Sequence, residues 1–192
     1  MNEQHIYTGT LFTLLNPYGL LGGLVTLTLF WTHGLMFIAL KTKGDIKDRA
    51  SKLGTKVGTA TTVLAATFLV WTLIAHFSVL GFILSALAAA SLIAGLVANY
   101  FKREGIAFSL LVVTIITAVG SLFAALFPNV FPSTTDAAFS LTIENASSSQ
   151  YTLTVMTWVA VFMIPLILLY QGWTYWVFRK RISRNSIPAG SH

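Results

Sequence analysis

Long uncharged runs alternate with short polar segments along the whole chain. No Asp, Glu, Lys or Arg occurs from about Tyr18 to Leu40, Val57 to Phe77, Val79 to Phe101, Ile106 to Phe127 or Tyr151 to Phe178. A helix rising about 1.5 Å per residue needs about 20 apolar residues to cross about 30 Å of hydrocarbon, with its backbone polar groups satisfied internally. Each of the five runs is long enough. The pattern therefore predicts an all-α integral membrane protein, a bundle of about five transmembrane helices over residues 18–178, with spans at 18–40, 57–77, 79–101, 106–127 and 151–178. Residues 1–17 read as an extracytoplasmic lead-in and residues 179–192 as a basic cytoplasmic tail. The second and third runs are separated only by a tight hairpin around His76, Ser78 and Gly81. Read as one helix they would be about twice the length that a bilayer accepts.

Composition agrees with this pattern. Of the 192 residues, 55% are hydrophobic and only 9% charged, and the mean hydropathy is +0.76. A water-soluble domain of this size would carry roughly a quarter charged residues. Those are missing here, so the outer surface faces lipid.

The few charges are placed unevenly. KTKGDIKDRASKLGTK, residues 41–56, carries six of the twelve basic residues between two uncharged runs. Short loops rich in Lys and Arg stay on the cytoplasmic side. If this stretch is inside, alternation through five spans also places Lys102, Arg103, Arg179, Lys180, Arg181 and Arg184 inside, leaving only Glu3, Asp136 and Glu144 on the opposite face. Four spans would break that one-sidedness. The stretch reads as a topological anchor, and the net charge of +6 as a consequence of anchoring rather than of nucleic-acid binding. The expected arrangement in the bacterial cytoplasmic membrane is N-terminus outside and C-terminus cytoplasmic.

The fifth run ends in YQGWTYWVFRKR. Its Tyr170, Trp173, Tyr175 and Trp176 are amphipathic rings that favour the headgroup layer, and with Arg179, Lys180 and Arg181 they form interface anchors. A cation–π or quinone-stacking role for these rings is the sharper alternative. Pro165 removes a backbone donor inside this run, which predicts a kink. In the third run, Ala86, Ala90, Ala94 and Ala98 recur every four residues with Ser91 and Gly95 beside them, predicting a close-packing face. Residues 128–150 form a connection longer than two helices need. Its LTI run, Phe131 and Phe139 predict an ordered, packed segment, and its Asn145-Ala146-Ser147 sequon reads as incidental.

Candidate chemistry is sparse. The absence of cysteine excludes disulfides, thiolate catalysis and thiolate-bound clusters. Of the four histidines, His5 and His192 lie in the tails, leaving His33 and His76 as candidate cofactor ligands. They do not pair on one haem iron: from the inner end of each span, His33 lies about 10 Å deep and His76 near 28 Å. Either could act singly, opposite a more distant group such as Met36, Met156 or Met163. The plainer reading of His33 is a packed imidazole bonded to backbone or to Thr32. Ion translocation usually leaves ionisable residues inside the spans, and His33 is the one candidate. No Gly-rich nucleotide loop or nucleophile–base motif occurs, so no catalytic residue is assigned.

PYGLLGGLVTLTLFWTHGLMFIALKTKGDIKDRA, then FPNVFPSTTDAAFSLTIENASSSQYTLTVMT, then YQGWTYWVFRKR, resemble in order the C-terminal half of subunit II of the bacterial cytochrome bd-type ubiquinol oxidases. The resemblance covers nearly the whole chain. It implies a complex that oxidises a quinol and reduces dioxygen to water, in which haem b and haem d, their ligands and the quinol-binding loop belong to subunit I. It also implies as partners the N-terminal half of subunit II and a small single-helix subunit, besides membrane lipid and no nucleic acid. The family's membrane acidic residues lie in the half with no counterpart here, so none transfers to a position of this sequence. MNEQHIYTGT then reads as a loop entered from a preceding helix rather than a signal peptide. Three readings follow: a non-catalytic scaffold subunit of a quinol oxidase, a small membrane cofactor carrier with a histidine ligand, and a transporter or channel fragment. The last is disfavoured by the uncharged spans and by the lack of a clear inverted repeat.

Overall fold

The computed structural model describes residues 9–75, 77–133 and 136–180. His76, Arg181 and the two ends of the chain, residues 1–8 and 181–192, lie outside the described residues, and with them the expectations attached to those positions.

A short turn of helix, α1 (Leu11–Leu14), leads to Asn16, whose Oδ1 accepts from the Gly19 N–H at 2.7 Å. That cap, with Pro17 at the first helical position, starts α2 (Pro17–Lys41). Four further long helices follow: α3 (Asp45–Ala75), α4 (Val79–Tyr100), α5 (Glu104–Leu126) and α6 (Gln150–Val177). All five are long and apolar enough to cross a membrane. Ser78 and Ser149 cap α4 and α6, with Oγ accepting from Gly81 N and Thr152 N. Between α4 and α5, Lys102 takes a left-handed φ of 58°, and the Arg103 N–H reaches back to the Ala98 carbonyl at 2.9 Å. The result is a tight C-terminal cap.

The charged stretch 41–56 is mostly helix. Only Thr42 to Gly44 turn the chain, with Gly44 at φ 70°, and α3 begins at Asp45, twelve residues before the uncharged run. Asp45 and Asp48 in its first turn complement the helix dipole. At 31 residues, α3 is about 46 Å long against about 30 Å of hydrocarbon. Its basic first turns thus exceed the length that the hydrocarbon requires.

Helices α2 to α5 form an antiparallel four-helix bundle. α2 packs closely on α3 and α4 on α5, while α3 against α4 and α2 against α5 close the ring more loosely. Leu29, Met36, Leu92, Ala98, Ala107 and Leu111 make the core. Close approach depends on glycine: a Cβ on Gly58 would collide with the Leu96 side chain and lie 3.1 Å from Thr32 Cγ2, so α3 meets α2 and α4 at that residue.

The packed seam of α4 differs from the alanine row. Ala86, Ala90 and Ala94 are exposed, and of that row only Ala98 is buried. The buried positions are Gly81, Ser85, Ala88, Ser91, Leu92, Gly95, Ala98 and Asn99. Ala86 and Ala90 each follow or precede a buried position by one or two residues, about 100° or 200° round the helix, so the row lies on a face turned away from this seam.

Residues 128–150 are structured where described. β1 (Asn129–Phe131) pairs antiparallel with β2 (Leu141–Thr142), with a 3-10 turn at Ala137–Phe139 between them. Asn145 ties the hairpin, its Oδ1 accepting from Thr142 N at 2.7 Å and its Nδ2 donating to the Ser140 carbonyl at 3.2 Å. Buried Ser140 in turn accepts from Ser133 N at 3.0 Å. The asparagine of the sequon thus has a structural use.

α6 stands apart. It runs unbroken through Pro165 and buries none of its residues. It meets the bundle at its C-terminal end, where Lys41 Nζ donates to the Phe178 carbonyl at 3.0 Å.

Candidate functional site

Most threonines of the spans spend their hydroxyl on the carbonyl four residues earlier, as Thr26, Thr62 and Thr72 do on Gly22, Gly58 and Phe68. In lipid such back-bonding removes an otherwise unsatisfied group. The polar groups that cross between helices stand out against that background, and they form layers along the bundle.

Nearest the hairpin end, Tyr18 of α2 stacks on Phe68 of α3 with centroids 4.9 Å apart, and its hydroxyl lies 2.9 Å from Thr72 Oγ1. Midway, Thr32 faces Thr61 at 3.3 Å and Ser91 faces Thr114 at 2.9 Å, one pair inside each tight helix pair. At the basic end, Asn99 of α4 is 2% exposed. Its Nδ2 donates to the Ser51 carbonyl at 3.1 Å and to Thr55 Oγ1 at 2.9 Å, while its Oδ1 accepts from Ser51 Oγ at 3.0 Å. One turn further, Lys47 of α3 pairs with the buried carboxylate of Glu104, the first residue of α5, at 2.7 Å. Two linkages therefore fasten the surface extension of α3 to the far helix pair. Neither was singled out from sequence. A lone amide inside an apolar run, as in LVANYF, was the available signal, because it must find partners there.

His33 sits on the α5-facing side of α2. Its ring stacks on Phe108 at 4.6 Å and 25°, and its buried Nδ1 has no hydrogen-bond partner among the described residues. Of the two expected partners, backbone or Thr32, the second is engaged elsewhere: the Thr32 hydroxyl donates to the Thr28 carbonyl and faces Thr61. The reason is geometric, since adjacent helical residues point about 100° apart. Met36 is wholly buried, its Cε 3.1 Å from where a Cβ on Gly54 would lie. Met156 and Met163 are exposed on α6. Among the described residues no second ligand is brought to His33, and no group of three His, Cys, Asp or Glu converges.

The bundle interior contains a cavity of about 270 Å³ between its four helices, lined by residues such as Gly22, Ala65, Ala88 and Ala118. His33 is not in its wall, and its volume is below the usual range for drug-sized ligands, about 300–1,000 Å³.

The residues expected as interface anchors lie at and just beyond the end of α6. Trp173, Tyr175 and Trp176 are exposed on the last turns of α6. The Arg179 guanidinium lies over the Trp176 ring at 4.5 Å, with Nη1 donating to the Trp176 carbonyl at 3.0 Å. Lys180 lies just beyond, beside the C-terminal end of α2.

Residues 1–178 match the model of the family described as cytochrome bd terminal oxidase subunit II. Over 174 residues the chain is 36% identical to the cytochrome bd ubiquinol oxidase subunit 2 of Bacillus subtilis (strain 168), covering 88% of this chain and 52% of that protein. It is 31% identical over 220 residues to the cytochrome bd-I ubiquinol oxidase subunit 2 of Escherichia coli (strain K12), covering 97% of this chain and 58% of the relative. A probable cytochrome oxidase subunit 2 of Haemophilus influenzae is 29% identical over 98% of this chain and 59% of its own length. The chain thus spans a little over half the length of these relatives.

Proposed function

The chain belongs to the cytochrome bd terminal oxidase subunit II family, and on that premise we propose that it works as a membrane subunit of a quinol oxidase. Its partner, subunit I, bears haem b and haem d, and the complex transfers electrons from a quinol to dioxygen, forming water. This chain is the scaffold of that assembly and holds no redox group itself. It adjoins the N-terminal half of subunit II, and a small single-helix subunit completes the set. The observation that carries the scaffold reading is how the buried polar groups are used. Thr32 with Thr61, Ser91 with Thr114, Asn99 with Ser51 and Thr55, and Lys47 with Glu104 all join helix to helix.

The test is the visible spectrum of the assembled oxidase carrying substitutions at His33. His33→Gln retains a donor and an acceptor, and it should leave every haem band at its wild-type ratio to protein. His33→Leu also removes the ring that stacks on Phe108 and should reduce the amount of complex recovered, with the haem content of each recovered complex unchanged. A lost haem band in His33→Gln complexes that still hold all their subunits would establish a ligand role and defeat the scaffold reading.

The proposed orientation places the hairpin end outside and the basic end in the cytoplasm. It is supported by the basic residues gathered where α2, α4 and α6 end and α3 and α5 begin. In sealed vesicles, Lys52→Cys and Ser148→Cys, both at exposed positions, should react with an impermeant maleimide from opposite sides. Reaction of both from one side would reverse this assignment.

A further inference from the structure

At the basic end, α6 and α2 enclose a crevice of about 570 Å³. Phe37 and Lys41 of α2 form one wall, and Thr174, Tyr175, Phe178 and Lys180 form the other. Thr174 lies one helical turn before Phe178, the residue that caps α6, and Lys180 follows just beyond the helix end. We propose that this crevice binds an anionic phospholipid, with its phosphodiester between Lys41 and Lys180 and its acyl chains descending between α2 and α6.

Four observations lead there. The wall carries two ammonium groups and no carboxylate. Basic pockets between membrane helices at the cytoplasmic surface suit anionic headgroups. The depth matches as well, because the crevice lies between the aromatic rings Trp173 and Trp176 and the basic residues that follow them, which is the headgroup layer. The wall changes character with depth: it is cationic at the surface, while Phe37 and Phe178 offer apolar surface for the first methylenes. Finally, α6 buries no residue along its 28 positions, and Lys41 of α2 donates to the Phe178 carbonyl just beyond its end. A lipid in this gap touches both helices at once and so fixes α6 to the bundle. A soluble phosphate would supply the charge but leave the apolar wall bare.

The experiment uses the assembled oxidase in lipid nanodiscs containing a trace of photoreactive phosphatidylglycerol or of photoreactive phosphatidylcholine, with cross-linked peptides mapped by mass spectrometry. Peptides containing Phe37 and Tyr175–Phe178 should be labelled by phosphatidylglycerol about tenfold more than by phosphatidylcholine. That preference should vanish in Lys41→Gln/Lys180→Gln. It should persist in Lys102→Gln/Arg103→Gln, which removes equal charge from the α4–α5 turn, and millimolar inorganic phosphate should not compete. Equal labelling by the two lipids would overturn the proposal, as would a preference that survives the first double variant or absence of labelling because a protein subunit covers the crevice. Competition by inorganic phosphate would show a simple anion site instead. Should the double variant fail to assemble, the comparison of the two lipids on the wild type still decides. The haem content of these complexes is a separate readout, so failure here leaves the scaffold reading to its own test.

Discussion

Asn99→Leu should lower the stability of the bundle by about 2 kcal/mol, read as an earlier midpoint when the protein in mild-detergent micelles is titrated with a denaturing detergent. Asn99 makes three hydrogen bonds to α3, and leucine of similar size makes none. Interhelical hydrogen bonds in membranes average only about 0.6 kcal/mol, because the separated helices find other partners for the same groups. Three of them give about 2 kcal/mol on that basis. A buried hydroxyl left without a partner would add 1 to 3 kcal/mol more, by the general estimate of about that size. Ser51 escapes most of that addition, since a serine in a helix can turn its hydroxyl to the carbonyl four residues back. Thr55 already does so, bonding the Ser51 carbonyl at 3.1 Å. The measured loss should therefore lie near the lower figure. Adding Ser51→Ala to Asn99→Leu should cost little more. A loss under about 0.5 kcal/mol would mean that the amide contributes no net hold between α3 and α4.

The number of helices was legible in the sequence because bilayer thickness imposes one length on every uncharged run. Which face of each helix packs inward was not. In water the outward face must be polar, so periodicity reveals the seam; in lipid both faces are apolar and the contrast disappears. Ala86, Ala90 and Ala94 illustrate this. They are as small and apolar as buried Ala88, and only geometry separates them. The same blindness hid α6, whose run resembles its neighbours yet buries nothing. The charged stretch misled in the opposite way: its polarity suggested a loop, whereas Asp45 and Asp48 at a helix start and an Ala50–Gly54–Gly58 packing row make it the first turns of α3. The family was legible from long matching segments rather than from any site.

The Lys47–Glu104 pair should show an asymmetry that simple pair-counting does not give. The two side chains are 25% and 8% exposed respectively, with 2.7 Å between Nζ and Oε1. Breaking a fully buried ion pair by removing one partner costs about 3 to 5 kcal/mol, mostly through the desolvated charge left behind. The charge left behind differs between the two substitutions. Glu104→Gln leaves a lysine whose stem can extend its ammonium into the headgroup layer, as long basic side chains do at interfaces. The loss there should be about 1 kcal/mol, in the range of a partly exposed pair. Lys47→Met withdraws the ammonium from a carboxylate that the bundle holds away from water, so its cost should be about 2 to 3 kcal/mol, discounted from the fully buried figure because Lys47 itself is partly hydrated. The N-terminus of α5 offers Glu104 some compensation through the helix dipole, about 0.3 to 1 kcal/mol. Combining the two substitutions replaces the charge with a neutral amide against an apolar stem. The double variant should then be more stable than Lys47→Met alone, by about 1 kcal/mol. High salt should narrow the difference between wild type and Glu104→Gln more than it changes Lys47→Met, because only the exposed end of the pair is screened. If the double variant proved less stable than Lys47→Met by the full cost of Glu104→Gln, the two residues would be acting independently, and the pair would not be what fastens α5 to the surface extension of α3.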